Sequence, residues 1–108
     1  MYFYDLNEVK AQEMPGRERK LVIGKNLMLL FVEREAGSVQ EHTHSNEQML
    51  YLMEGKATFR VGEEERTIEA GQVVHIPEGI PHRLVAHTRI RYLGIYSPPR
   101  EAVISGKA

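Results

Sequence analysis

The chain has 108 residues, enough for one domain spanning 1–108 with a modest core, and its 42% apolar and 27% charged residues are ordinary for a globular protein. Fourteen Lys and Arg against fifteen Asp and Glu leave the net charge near zero, which argues against nucleic acid held by phosphate neutralisation and against binding to a membrane surface. The lack of cysteine excludes disulfides, thiolate metal sites and cysteine nucleophiles, and no apolar stretch approaches the ~20 residues of a membrane span.

The residues from Met1 to Glu8 carry neither a positive n-region nor an apolar h-region, so they do not read as a secretory signal, and the expected location is cytoplasmic. Tyr2, Tyr4 and Leu6 alternate with Phe3 and Asp5, which predicts a short strand. Turns or breaks follow at Met14-Pro15-Gly16, Gly24, Gly37, Gly55, Gly62, Gly71, Pro77-Glu78-Gly79 and Ser97-Pro98-Pro99. Short segments between evenly spaced turns predict an all-β sandwich or barrel with little helix.

Two of these segments are apolar on both faces. Leu27, Leu29 and Phe31 alternate with Met28, Leu30 and Val32, and Leu50 and Leu52 alternate with Met49, Tyr51 and Met53. A strand buried on one side only should alternate apolar with polar, so the outside of this sheet is expected to be covered. No amphipathic helix is evident, which points to a homodimer. Its apolar face is expected to combine Met49, Tyr51 and Met53 with Met28, Leu30 and Val32, and the Tyr2–Leu6 strand is expected to extend the partner's sheet. Further along, Ala57–Val61 and Arg66–Glu69 flank Gly62-Glu63-Glu64-Glu65 as a hairpin with a solvated acidic tip. The small, polar stretch Ile104–Ala108 is expected to fray.

Of the five histidines, His42 and His44 stand two apart, a spacing that sends both rings to one side of a strand, where they can share a metal. An exposed pair with no ligand is the competing reading. His75 alternates with Val74 and Ile76 and is expected on the outer face, and His87 beside Thr88 is expected to be exposed.

The segment GSVQEHTHSNEQMLYLMEG, from Gly37 to Gly55, resembles the first motif of the cupins: Gly, five residues, His-x-His, three or four residues, Glu or Gln, six residues, Gly. It departs once, with four residues between Gly37 and His42. The segment GQVVHIPEGIPHRLVA, from Gly71 to Ala86, resembles their second motif through His82, with Ala86 where the family has Asn. The fifteen residues between Gly55 and Gly71 suit the hairpin of a small, single-domain cupin. The resemblance implies a double-stranded β-helix, an RmlC-like jelly-roll barrel. It also implies one divalent transition metal, Zn, Ni, Fe, Mn or Cu, on His42, His44, Gln48 and His82. Glu47 competes with Gln48, since a carboxylate is the better ligand; family spacing and shared parity with Leu50 and Leu52 favour Gln48. A shell without carboxylate leaves the ion its full charge, which suits an anionic ligand. Metal affinity is expected to fall below a pH of about 6.5, as the histidines protonate.

Tyr96-Ser97-Pro98-Pro99-Arg100 resembles the stretch Asp-x-Phe-Ser-Pro-x-Arg of small cupins that linearise unsaturated uronates, in which the Asp and Arg are implicated in the reaction. Gly94 stands at the Asp position, Tyr96 at the Phe position and Arg100 at the Arg position. The resemblance makes Tyr96 and Arg100 candidate catalytic residues, with Glu47 as a further titratable candidate. The plainer alternative is that Ser-Pro-Pro ends the last strand and Arg100 is solvated. Three functions are compatible with these features. The first is a metal-dependent enzyme, isomerase- or lyase-like, acting on a small carboxylated or sugar-acid-like compound. The second is a metal-dependent dioxygenase, and the third a non-catalytic small-molecule binding or sensing module.

Overall fold

A computed structural model describes residues 2–106. Ten strands and one helical turn follow in order: β1 Gln12–Met14, β2 Arg17–Ile23, β3 Met28–Arg34, β4 Val39–His42, β5 Glu47–Glu54, β6 Lys56–Val61, β7 Glu64–Glu69, β8 Val73–Ile76, β9 His82–Ala86, β10 Ile90–Ser97 and α1 Glu101–Ile104. They form two antiparallel sheets, one of six strands in the order β1-β2-β3-β10-β5-β8 and one of four in the order β4-β9-β6-β7. The chain passes repeatedly between the sheets, which is the all-β jelly-roll arrangement expected from the turn spacing.

Alternation decides what faces the interior. Ile90, Tyr92, Gly94 and Tyr96 of β10 are buried while Arg91, Leu93 and Ile95 between them are only half-buried. Leu50 and Leu52 of β5, Ala57 and Phe59 of β6 and Leu84 and Ala86 of β9 meet them in one core. Full burial of a side chain the size of Leu52 contributes about 1.5–3 kcal/mol. Gly55 makes the tight β5–β6 turn with φ +92°, and a Cβ there would lie 2.4 Å from the Arg89 carbonyl oxygen, so no other residue fits.

Four expectations need correction. In β3 it is Met28, Leu30 and Val32 that face the core, not the outside. The outer face of the large sheet instead carries the register rows Val22–Leu29–Ile95–Met49 and Lys20–Phe31–Leu93–Tyr51–Val73. With both faces of β3 apolar, the pattern carries no sign of which one turns inward. Second, Tyr2–Leu6 forms no strand: Tyr2 is 94% exposed, and the chain enters a turn in which the Glu8 amide donates to the Asp5 carbonyl at 2.9 Å. Third, β7 begins at Glu64, so the acidic tip shrinks to Gly62-Glu63. Fourth, Ile104, the first residue of the stretch expected to fray, ends the helical turn α1 and packs on the core just after the fully buried Val103, while Ser105 and Gly106 are exposed; residues 107 and 108 lie outside the described residues. Among the described residues, no helix is long and apolar enough to cross a membrane.

Candidate metal centre

Within the four-stranded sheet, β4 pairs with β9 in a register that sets His42 directly opposite His82. His44 lies just past the end of β4, on the loop leading to β5. Gln48, the second residue of β5, is 4% exposed and sits between Tyr96 on β10 and Ile76 on β8. Ring centroids lie 4.8 Å apart for His44 and His82, 5.8 Å for His42 and His82, and 6.2 Å for His42 and His44.

Backbone carbonyls orient two of the rings. His44 Nδ1 is 3.0 Å from the Asn46 carbonyl oxygen and His82 Nδ1 is 3.0 Å from that of Ile80. A carbonyl only accepts, so each Nδ1 carries the hydrogen and each Nε2 keeps its lone pair free for a metal. Nε2 of His42, Nε2 of His44 and Oε1 of Gln48 are all buried without a hydrogen-bond partner. Buried polar atoms are rarely left so, and three near one another call for an explanation. As the side chains stand, no three His, Cys, Asp or Glu among the described residues enclose an ion. The chemistry of the donor set, three imidazoles and an amide oxygen, fits a divalent transition metal.

The surroundings keep these histidines neutral. Burial depresses the basicity of all three, taking His42 down to about 3, and the Arg100 guanidinium is the next depressing influence on His42 and His44. At His82 burial is again the largest cause, opposed by the Ile80 hydrogen bond. The expected loss of affinity near pH 6.5 therefore moves to lower pH, because a neutral ring is the ligating form.

Tyr96 is 3% exposed, with its ring 5.7 Å from that of His44 and edge-on to it. Burial pushes its hydroxyl above the ordinary tyrosine range, so it is a donor rather than a base. The Arg100 guanidinium carbon stands 5.8 Å from the Tyr96 ring centroid, so Arg100 is not merely a solvated tail. Gly94 faces inward beneath Tyr96, and a Cβ there would lie 3.0 Å from the Tyr96 ring. The space over Gly94 is thus filled by the tyrosine ring. Behind Gln48, His82, Tyr92 and Tyr96 remains a gap of about 10 Å³, room for about one water molecule.

The fold therefore gathers His42, His44, Gln48, His82, Tyr96 and Arg100. It does not bring Glu47 to them: that side chain lies on the outer face, its carboxylate 2.8 Å from His75 Nε2. His87 is exposed and 2.6 Å from Thr58 Oγ1. Sequence reasoning missed Asn46, whose buried amide donates to the Pro98 carbonyl at 2.6 Å and fastens the His44 loop to the end of β10. An Asn two residues past the His pair carries no periodic signal, since the loop has no strand parity.

Residues 29–96 match the family model described as a cupin domain. An uncharacterised protein of Streptomyces coelicolor is 24% identical over 103 residues, covering 92% of this chain and 98% of its own. Among solved structures, KdgF from Halomonas sp. superposes with a TM-score of 0.88 at 25% identity, over 95% of this chain and 98% of that one. An RmlC-like cupin from Shewanella frigidimarina superposes with a TM-score of 0.89 at 22% identity, over 95% and 96% of the two chains.

Proposed function

Because the chain belongs to the cupin family, we propose that it holds one divalent transition-metal ion on His42, His44, Gln48 and His82 and binds a small carboxylated, sugar-acid-like compound there. The observation that carries this reading is that Nε2 of His42, Nε2 of His44 and Oε1 of Gln48 are buried without partners, with the His42, His44 and His82 rings as neighbours. A bound ion would supply Lewis acidity toward a carboxylate or hydroxyl oxygen of the ligand. Arg100 would clamp the ligand's carboxylate through two parallel hydrogen bonds, and Tyr96 would wall the site and donate from its protonated hydroxyl. Asn46 would hold the His44 loop against the end of β10.

The resemblance to uronate-linearising cupins makes such sugar acids the first compounds to try. A second reading, a binding or sensing module without acid–base chemistry, is favoured by one observation: Glu47 is turned outward and position 94 is a glycine covered by Tyr96, so neither expected position offers a carboxylate to the histidines. Enzymes that move protons need a titratable group within reach. Assays with unsaturated uronates on the metal-loaded protein decide whether the bound compound is also transformed: rapid turnover would remove the second reading, and binding without turnover would support it.

The proposal extends to a homodimer through the outer face of the large sheet. Leu29, Phe31, Leu93 and Ile95 are only half-buried there, and Met49, Tyr51 and Val73 are exposed, in one contiguous apolar surface of the kind monomers seldom leave open. Light scattering should give twice the 12.4 kDa chain mass, and a mass of one chain at micromolar concentration would contradict the dimer.

A further inference from the structure

One wall of the interior is built against the usual rule. On β2, Arg17, Arg19 and Leu21 pair with Arg34, Val32 and Leu30 of β3, and Leu21 packs on the core, so the two arginines share the inward face. Arg19 is 3% exposed and Arg34 4% exposed. Arg34 is satisfied by neutral groups: Nε donates to the Tyr92 hydroxyl at 3.0 Å, Nη1 to Ser38 Oγ at 3.0 Å, and Nη2 to Gln40 Oε1. Arg19 Nε donates to Gln12 Oε1 at 2.8 Å, but its Nη2 is buried without any partner. Among the described residues, none of Arg17, Arg19, Arg34 or Arg100 forms an ion pair with a carboxylate.

Buried cations without a counter-charge are strongly unfavourable, and groups perturbed in this way cluster at functional sites. Burial depresses both guanidiniums of β2, Arg19 to about 10, and each is depressed further by its arginine neighbours. Arg100 acts on both groups: its charge lowers the basicity of Arg17 and Arg19 on one side and of His42, His44 and His82 on the other.

We propose that Arg17 and Arg19, with the buried Arg34 opposite Arg17 on β3, form a second anion subsite on the inward face of this sheet, so that the ligand is a dianion with one oxyanion on the metal and another on this wall. This rests on the metal reading above for the first anchor but not for the second. The planar guanidinium fork suits a carboxylate, and a small dicarboxylate is the favoured class; a phosphate would present the same oxyanion chemistry.

The test compares succinate, glutarate and adipate with the monocarboxylates of equal length on metal-loaded wild type, Arg19→Met, Arg17→Gln and His82→Ala, by calorimetric titration and thermal shift. One dicarboxylate should bind the wild type roughly 10-fold or more tightly than its monocarboxylate counterpart, the worth of a charge-assisted hydrogen-bonded contact. That advantage should vanish in Arg19→Met and shrink in Arg17→Gln. Ligand-free Arg19→Met should melt no lower than wild type, because it removes an uncompensated buried charge. His82→Ala should weaken both ligands together while preserving the dicarboxylate preference. Protection of wild type but not Arg19→Met by inorganic phosphate, with none by dicarboxylates, would keep the subsite and assign its ligand to phosphate. If no dianion outbinds its monoanion and Arg19→Met behaves as wild type toward phosphate, the subsite does not exist, even if the metal site does. If metal binding fails but the dicarboxylate preference persists, the subsite stands and the metal reading falls.

Discussion

Strands β5 and β2 both lay one face into the same interior, and they do so differently. The inner face of β5 runs Gln48, Leu50, Leu52: one amide at the histidines, then apolar side chains that close the core. The inner face of β2 runs Arg17, Arg19, Leu21: two cations before a single apolar residue reaches the core. The difference separates what stabilises this barrel from what it recognises. Apolar inward positions hold the sheets together, whereas an inward polar group without a partner lowers stability and marks where something else is meant to bind.

The contrast can be broken by substitutions on each side. The largest effect is expected in the apolar part: Leu52→Ala removes a fully buried side chain and should lower unfolding free energy by about 2–5 kcal/mol in chemical denaturation, while the folded fraction keeps its metal. A metal loss matching that of a histidine variant would show that the two regions are not separable. Gly94→Asp comes next. Its new Cβ would crowd the Tyr96 ring from 3.0 Å, and the overpacking should destabilise by about 1–3 kcal/mol. If the variant gains activity on an unsaturated uronate despite that strain, the site is a disabled form of the uronate-linearising enzymes; unaltered stability would mean that the tyrosine is free to move.

The third test uses pH. The folded, metal-free protein holds its three histidines neutral, His42 down to about 3, whereas in the unfolded chain they titrate near about 6.5. Below that pH the unfolded state binds more protons, so stability should fall as pH drops from about 6.5 toward 3. Melting temperatures of metal-free wild type and His42→Gln over this range should show a shallower slope for the variant; identical slopes would place the His42 ring in water. The smallest effect is expected at Glu47→Gln, which touches only an exposed contact with His75. Its metal content should match wild type while that of Gln48→Ala drops, and the reverse order would move the ligand to Glu47.

Much of this was legible because it rests on local rules. Glycines between short segments announced the turns, and Gly55 shows why one of them is obligatory. The His42–His44 spacing, the parity of Gln48 with Leu50 and the Pro-Glu-Gly turn before His82 carried the cupin resemblance. The rest depended on information that period-two patterns lack. β3 is apolar on both faces, so alternation could not assign its inward side. Arg17 and Arg19 break the rule that inward means apolar, and a strand whose inner face carries two arginines reads as a solvated one. Tyr2–Leu6 has the alternation of a strand but no neighbour to pair with among the described residues. The α1 turn is too short to show a helical period, and its Val103 lies in the core cluster, its carbonyl accepting from Gln12 Nε2.

The central claim is that the unpartnered donors of the interior hold one metal ion. The most direct measurement is the metal-to-protein ratio after loading with a divalent transition metal and dialysis, by elemental mass spectrometry, for wild type and His82→Ala. The account predicts about one ion per wild-type chain and at least a roughly tenfold weaker hold in the variant, since one of four protein ligands is gone. A wild type that emerges empty, or a His82→Ala protein that retains as much metal as wild type, would contradict it.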